Sequence, residues 1–294
     1  MQTDGKASAS VKAPSPQALK IAESAGRGGR RNAQVRVNFI ERALHTDEAP
    51  PLARMLRGGR GGQVRLKLYL SYLWLQKDDS ARQLAIRHSA WAGLLDLRDP
   101  KTAGARRISD AHAWLEENRF IEVTRGGRLN LVTVLDEKGK GEPWVAPGAA
   151  AKKEKEEDTT GWGALFHRYV QIPKTFWTEG YISVLSGAGV AMFLALLSEA
   201  GGLSSGHPLW FSPREAERRF ALSEDTRSKG LRELSEARLI TTKRRSVNEA
   251  DFEAEALHLR NVHFLEKERL NETASLSPRQ RVVRLPKGFL DAEG

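Results

Sequence analysis

Residues 99–135, DPKTAGARRISDAHAWLEENRFIEVTRGGRLNLVTVL, constrain the chain more than any other stretch. Ile108, Ala111 and Leu115 recur at the helical period and mark one buried stripe, which leaves Arg106, Ser109, Asp110 and Ala113 facing outward. Asp99 is placed to cap that helix, and Pro100 stands at the first helical position, where its missing N–H is tolerated. Asn118 and Arg119 end it. Ile121 and Val123 then run into Arg125-Gly126-Gly127-Arg128, and Leu129, Leu131 and Val134 carry the chain back. A Gly-Gly pair between apolar runs predicts a two-residue turn, because both central residues of such a turn need positive φ. The stretch therefore predicts a helix with a basic outer face, followed at once by a short hairpin with a basic tip.

What surrounds it predicts a first domain over residues 34–135. Val35, Val37 and Phe39 alternate before Pro50-Pro51, which suggests a strand or short helix. The run Arg57-Gly58-Gly59-Arg60-Gly61-Gly62 is expected to be a mobile connection; it lacks the Gly-Lys-Ser/Thr ending of a phosphate-cradling loop. Val64–Gln76 is apolar at a spacing that favours a buried helix, Leu84 and Ile86 suit a short strand, and Ser89 is expected to cap a helix carrying Trp91, Leu94 and Leu95. Residues 1–33 are rich in Ala, Ser, Pro, Gly and basic groups. They predict a disordered basic arm, which either adds nonspecific phosphate contacts or only solubilises. Residues 136–161 carry Gly, Pro, Ala and mixed charge without apolar periodicity and predict a flexible linker.

A second domain is expected over 162–270, with a C-terminal tail over 271–294. Tyr169, Val170 and Ile172 suggest an edge strand; Val190–Glu199 is a strongly apolar helix ended by Gly201-Gly202; Leu209-Trp210-Phe211 is a short strand. Ser212-Pro213 opens one helix and Ser223 the next, in which Leu231 and Leu234 face inward while Thr226, Lys229, Arg232 and Glu233 face outward. Lys243, Arg244 and Arg245 begin a basic hairpin, and Leu257, Leu259, Val262 and Phe264 return.

The two halves are copies. Trp114–Arg125 aligns with Glu233–Arg244, with identities at the core leucine, a glutamate, the arginine and the isoleucine, and the order of elements agrees throughout. Both halves resemble winged helix-turn-helix domains, over roughly residues 57–135 and 165–265. The resemblance implies a fold that is mostly α with small β-hairpins (α+β), as two winged-helix domains in tandem. It also implies a third helix that enters the major groove and a wing on the phosphates. On that basis the DNA-contacting residues are Lys101, Thr102, Arg106, Arg107 and Ser109 on the first helix and Arg125 and Arg128 on its wing. In the second copy they are Thr226, Lys229 and Arg232 on the helix, with Lys243, Arg244 and Arg245 on the wing. Arg106 is the first candidate for bidentate readout of a guanine.

Bulk properties agree with a polyanionic partner. The chain of 294 residues carries a net charge of +10 and is 40% apolar, which suits two modest domains with real cores. No apolar run reaches bilayer length, and the first residues lack the apolar segment of a secretory signal, so a cytoplasmic, nucleoid-associated protein is expected, with no membrane partner. With no cysteine, disulfides and thiolate metal sites are excluded. His258 and His263 fall on opposite faces of any shared strand, and no nucleophile elbow, Walker loop or paired catalytic carboxylates stand out. No enzyme, metal or cofactor is expected.

The function expected is non-catalytic, sequence-selective binding of double-stranded DNA, first as a transcriptional regulator. Tandem architecture is also similar to that of plasmid-type replication initiators, which implies binding to repeated origin sites, with the linker setting the effective concentration of the second contact. A third use is an adaptor whose winged-helix domain docks a protein partner or self-associates.

Overall fold

The two most apolar stretches become the two central helices. Gly62–Leu75 (α4) and Gly187–Ala200 (α10) are buried on nearly every side and pack against each other. They stand at the centre of a computed structural model that describes residues 11–43, 46–77, 83–85, 87–126, 129–157, 167–201, 206–246 and 259–277. The protein is about half helical with small antiparallel sheets, an α+β fold.

Each central helix begins the same series. After α4 come β2 (Gln83–Leu84), α5 (His88–Leu94), α6 (Ala103–Glu117) and the hairpin β3–β4 (Ile121–Thr124, Leu131–Val134), in a sheet of order β2-β4-β3. After α10 come a single bridge from Leu209 to His263, α11 (Pro213–Phe220), α12 (Glu224–Glu236) and the hairpin β6–β7 (Ile240–Ser246, Leu259–Leu265). In both copies the strand before the second helix pairs with the last strand of the hairpin. Local chemistry explains the starts: Ser212 and Ser223 each accept a backbone N–H of the helix they open, from Glu215 and Thr226. Ser186 does the same for α10 through Gly189.

Several segments expected to be loose are packed instead. Within the expected N-terminal arm, Pro16–Gly26 forms a helix (α1) capped by Ser15, with Ala18 and Ala22 buried. Arg30 donates from Nε to Gln76 O at 2.7 Å, and Trp74 Nε1 donates to Arg30 O at 3.1 Å, so this part of the basic arm is fastened to the end of α4. The expected linker is also ordered where described. Trp144 is fully buried, and Pro147–Glu157 forms a helix (α7). Glu137 makes a buried ion pair with Arg36, whose guanidinium also donates to Val145 O at 2.8 Å. A buried charge pair of this kind fixes geometry because neither partner can be left alone without a large desolvation penalty. Residues 158–161 of that linker lie outside the described residues, and so do 1–10 of the arm and 278–294 of the tail. Leu276 of the tail forms a bridge with Lys12.

The two copies are joined directly. Asn32–Arg36 (β1) and Tyr169–Pro173 (β5), each lying upstream of its own central helix, pair antiparallel with Val35 opposite Val170. One apolar cluster runs through both copies, from Phe39 and Tyr69 to Phe193 and Leu234.

Candidate nucleic-acid interface

The face of α6 follows the sequence pattern. Ile108, Ala111 and Leu115 are buried; Arg106, Ser109, Asp110 and Ala113 are exposed, as are Lys101 and Thr102 just ahead of the helix. Arg107 is half-buried at the edge of this face. The start of the helix differs from expectation. Asp99 does not cap it: the residue sits at φ 48°, its carbonyl accepts from Thr102 and Gly104 at 3.0 and 2.9 Å, and the helix begins at Ala103. Asp99-Pro100 is thus the sharp turn between α5 and α6. Gly104 permits it, since a Cβ there would lie 3.0 Å from Arg98 O and 3.2 Å from Ala92 Cβ. Nor is Ser89 a cap; it lies in the first turn of α5, after Arg87.

The first hairpin is longer than a two-residue turn allows. Its strands end at Thr124 and resume at Leu131, and Gly127 and Arg128 lie outside the described residues. Arg125 is exposed and paired: it donates two hydrogen bonds to Glu116, one of 3.0 Å, and the same bonds hold the Glu116 carboxyl below its ordinary pKa. Where the returning strand meets the starts of α5 and α6, Lys101, Arg87, Ser89 and Asn130 border a shallow depression of about 470 Å³.

Beneath α6 lies a polar chain that sequence spacing did not assemble. Tyr72 of α4 bonds to His112 Nε2, and His112 Nδ1 lies 3.0 Å from His88 Nε2. Burial, reinforced by the neighbouring His88, lowers the His112 pKa to about 4. The pair has a packing role, tying α4, α5 and α6 together.

The second copy ends its third helix as the first does. Arg119 and Arg238 both sit at positive φ, 59° and 58°. Each is followed by a residue whose N–H returns to the core leucine: Phe120 to Leu115 O at 2.8 Å, Leu239 to Leu234 O at 2.9 Å. This fixes the register between the copies, and along that register the outer faces differ. Arg106 corresponds to Asp225, Arg107 to Thr226 and Asp110 to Lys229. The first turn of α12 is therefore acidic, with Glu224 and Asp225. Lys229 and Arg232 are exposed, while Thr226 is half-buried and turned back to the Ser223 cap, their hydroxyls 3.0 Å apart. Glu233, expected to face outward, is buried: its carboxylate accepts the Ser186 N–H at 2.8 Å, at the start of α10. On the hairpin Lys243 and Arg244 are exposed, and the Lys243 ammonium lies 5.4 Å from the Phe264 ring centre. The Arg245 side chain and Leu257 lie outside the described residues. The connecting segment 247–258, outside the described residues, carries Glu249, Asp251, Glu253 and Glu255 and no Lys or Arg, so it is acidic in sequence.

Both third helices approach one buried cation. Lys67 of α4 is almost fully buried and donates to Ser183 O at 3.3 Å, and its pKa is pushed down to about 7 by burial and then by the charge of Lys12. Arg107 of α6 and Glu233 of α12 both act on it electrostatically. α6 packs on α4, α12 packs on α10, and α4 packs on α10, so the central pair sets the spacing of the two outer helices.

Among the described residues no three His, Cys, Asp or Glu side chains are grouped to hold a metal ion, and no helix is long and apolar enough to cross a membrane. The chain has no significant match to any family model, curated protein or solved structure.

Proposed function

We propose that the chain is a non-catalytic, sequence-selective double-stranded DNA-binding protein built of two winged-helix units, with the first unit leading. The observation that carries this reading is the face of α6. Arg106 and Ser109 are exposed on a helix whose other side is anchored by Ile108, Ala111 and Leu115, and Lys101 and Thr102 are exposed just ahead of it. An exposed arginine on a rigid helix suits bidentate pairing with guanine, and lysine beside the helix start suits phosphate. Regulation of transcription is the first use. Initiation of replication on repeated origin sites is the second, favoured by the pairing of β1 with β5: the spacing of the two units is set by a strand pair and a shared core, which suits a composite site of fixed spacing. The acidic first turn of α12 favours a protein-docking share for the second unit.

The test is affinity for duplex fragments selected from the source genome. Replacing Arg106 and Arg107 together by alanine should weaken specific binding on the order of a hundredfold, at about 1–3 kcal/mol per lost base contact. Replacing Lys243 and Arg244 should weaken it less. Affinity of the unmodified chain should fall steeply between low and moderate salt, because phosphate contacts release counterions. A flat salt dependence, or an Arg106/Arg107 variant that binds as well as the parent, overturns the proposal.

A further inference from the structure

The outer face of the second hairpin carries the one exposed large aromatic side chain among the described residues, Trp210. Strand register fixes which side chains share it. Leu209 bridges His263, so Trp210 stands across from Val262, while Lys243 pairs with Val262 and Thr241 with Phe264. Since side chains alternate along a strand, Trp210, Arg260, Val262, Phe264 and Lys243 fall on one face and Leu209, His263, Leu265 and Ile240 on the other. The second set turns to the core; Leu209, Ile240 and Leu265 are buried. On the first face Trp210 is 42% exposed, with the Arg260 guanidinium 4.3 Å from its ring centre. Lys243 stands over Phe264 beside it. Val262 is buried under this layer.

The exposed indole with a guanidinium over it makes a surface that is both cationic and able to stack. An unpaired nucleotide matches both properties: its base stacks on the ring, and Lys243 and Arg260 meet the backbone charge. A base inside a duplex has no free face to offer. We infer that the outer face of the β6–β7 hairpin, centred on Trp210 and Arg260, is a binding platform for single-stranded DNA. The first copy lacks it. The corresponding face of its sheet carries Gln83, Glu122, Thr124, Leu131 and Thr133, without an aromatic ring or a cation. The inference goes beyond the duplex reading and uses a different surface from α6.

The test measures anisotropy of labelled oligothymidine and of a duplex on the full chain. Trp210→Ala and Arg260→Ala should each weaken oligothymidine binding about five- to a hundredfold, as stacking losses of about 1–3 kcal/mol per base require. Trp210→Phe keeps a stacking ring and should stay within about threefold of the parent. Circular dichroism melts of the variants, which alter only a surface ring or its cation, should match the parent. An Arg106/Arg107 alanine variant should lose the duplex and keep the single strand. No single-strand binding by the parent, equal binding by Trp210→Ala, or failure of Trp210→Phe to restore it overturns the inference while leaving the duplex reading intact. Tighter binding to oligouridine than to oligothymidine overturns the assignment to DNA. Single-strand binding without any duplex binding sinks the duplex reading alone.

Discussion

In the first copy Arg106 and Asp110 stand on the outer face of the third helix; at the same positions the second copy has Asp225 and Lys229, so the charges are exchanged. The sheets are reversed as well. The first hairpin's outer face is neutral or acidic, and the second carries Trp210, Arg260 and Lys243. Beneath these differences the frames agree down to the positive φ of Arg119 and Arg238. The copies also differ in the strand ahead of the second helix and in the length of the hairpin, so the shared frame is the third helix and its end rather than every element.

One internal difference is His112, whose counterpart is Leu231. Burial lowers its pKa to about 4 from the ordinary 6.5, so between those values the unfolded chain binds a proton that the folded chain refuses. Stability contributed by the neutral imidazole is present above pH 6.5 and is lost as pH falls toward 4, on the order of 3 kcal/mol in all. His112→Gln, which keeps an acceptor for Tyr72, should flatten the slope of denaturation free energy in that window. Hydrogen exchange should place the acid loss in α4–α6 first. Acid loss that starts in α10–α12, or an unchanged slope in the variant, would show that the copies do not differ in this way.

How far the sequence reached can be judged by the same comparison. Helices with their own local signals were legible: the Ser-Pro start of α11, the Ser223 cap of α12, the apolar runs of α4 and α10, and the stripe that oriented α6. The pairing of β1 with β5 was not, because its partners are remote in sequence and nothing in Asn32–Arg36 names Tyr169–Pro173. The same reason hid the order of residues 136–146: Glu137 and Trp144 read as linker residues until Arg36 and Arg30 are seen beside them. Glu233 was misplaced because a charge at helical spacing is normally solvated, and only the Ser186 amide draws it inward. The Trp210–Arg260 plane needed the strand register, and a lone Trp-Phe pair in sequence looks like core.

A smaller effect tests the packing of the two third helices. Ala111 is buried in the first copy, and Gly230 takes its place in the second, where a Cβ would come within 2.4 Å of Ala188 O and of Met192 Cγ. Gly230→Ala should therefore destabilise the chain by about 2 kcal/mol, because overpacking against backbone outweighs the roughly 1 kcal/mol that alanine gains in a helix. Ala111→Gly should cost about 1–2 kcal/mol, from helix propensity together with the loss of a buried methyl. Denaturant midpoints measure both. A stabilising Gly230→Ala would mean that α12 can move off α10, and the fixed spacing of the outer helices would go with it.

The smallest expected effect probes what the copies share. An L-residue in the left-handed region is strained by about 1 kcal/mol, and glycine is not. Arg238→Gly should then raise stability by somewhat under 1 kcal/mol, since the Arg238 side chain is exposed at the rim of a shallow depression with Ser235 and Arg269. Arg119→Gly relieves the same strain but gives up contact: Gly141 lies close enough that a Cβ there would be 3.4 Å from Arg119 Cδ, so the Arg119 stem lies against the 136–146 segment. Its net gain should be near zero. Equal gains from both substitutions would show that this segment leans only weakly on the first copy. The fully buried Trp144 and the Arg36–Glu137 pair would then be what ties that segment to the core.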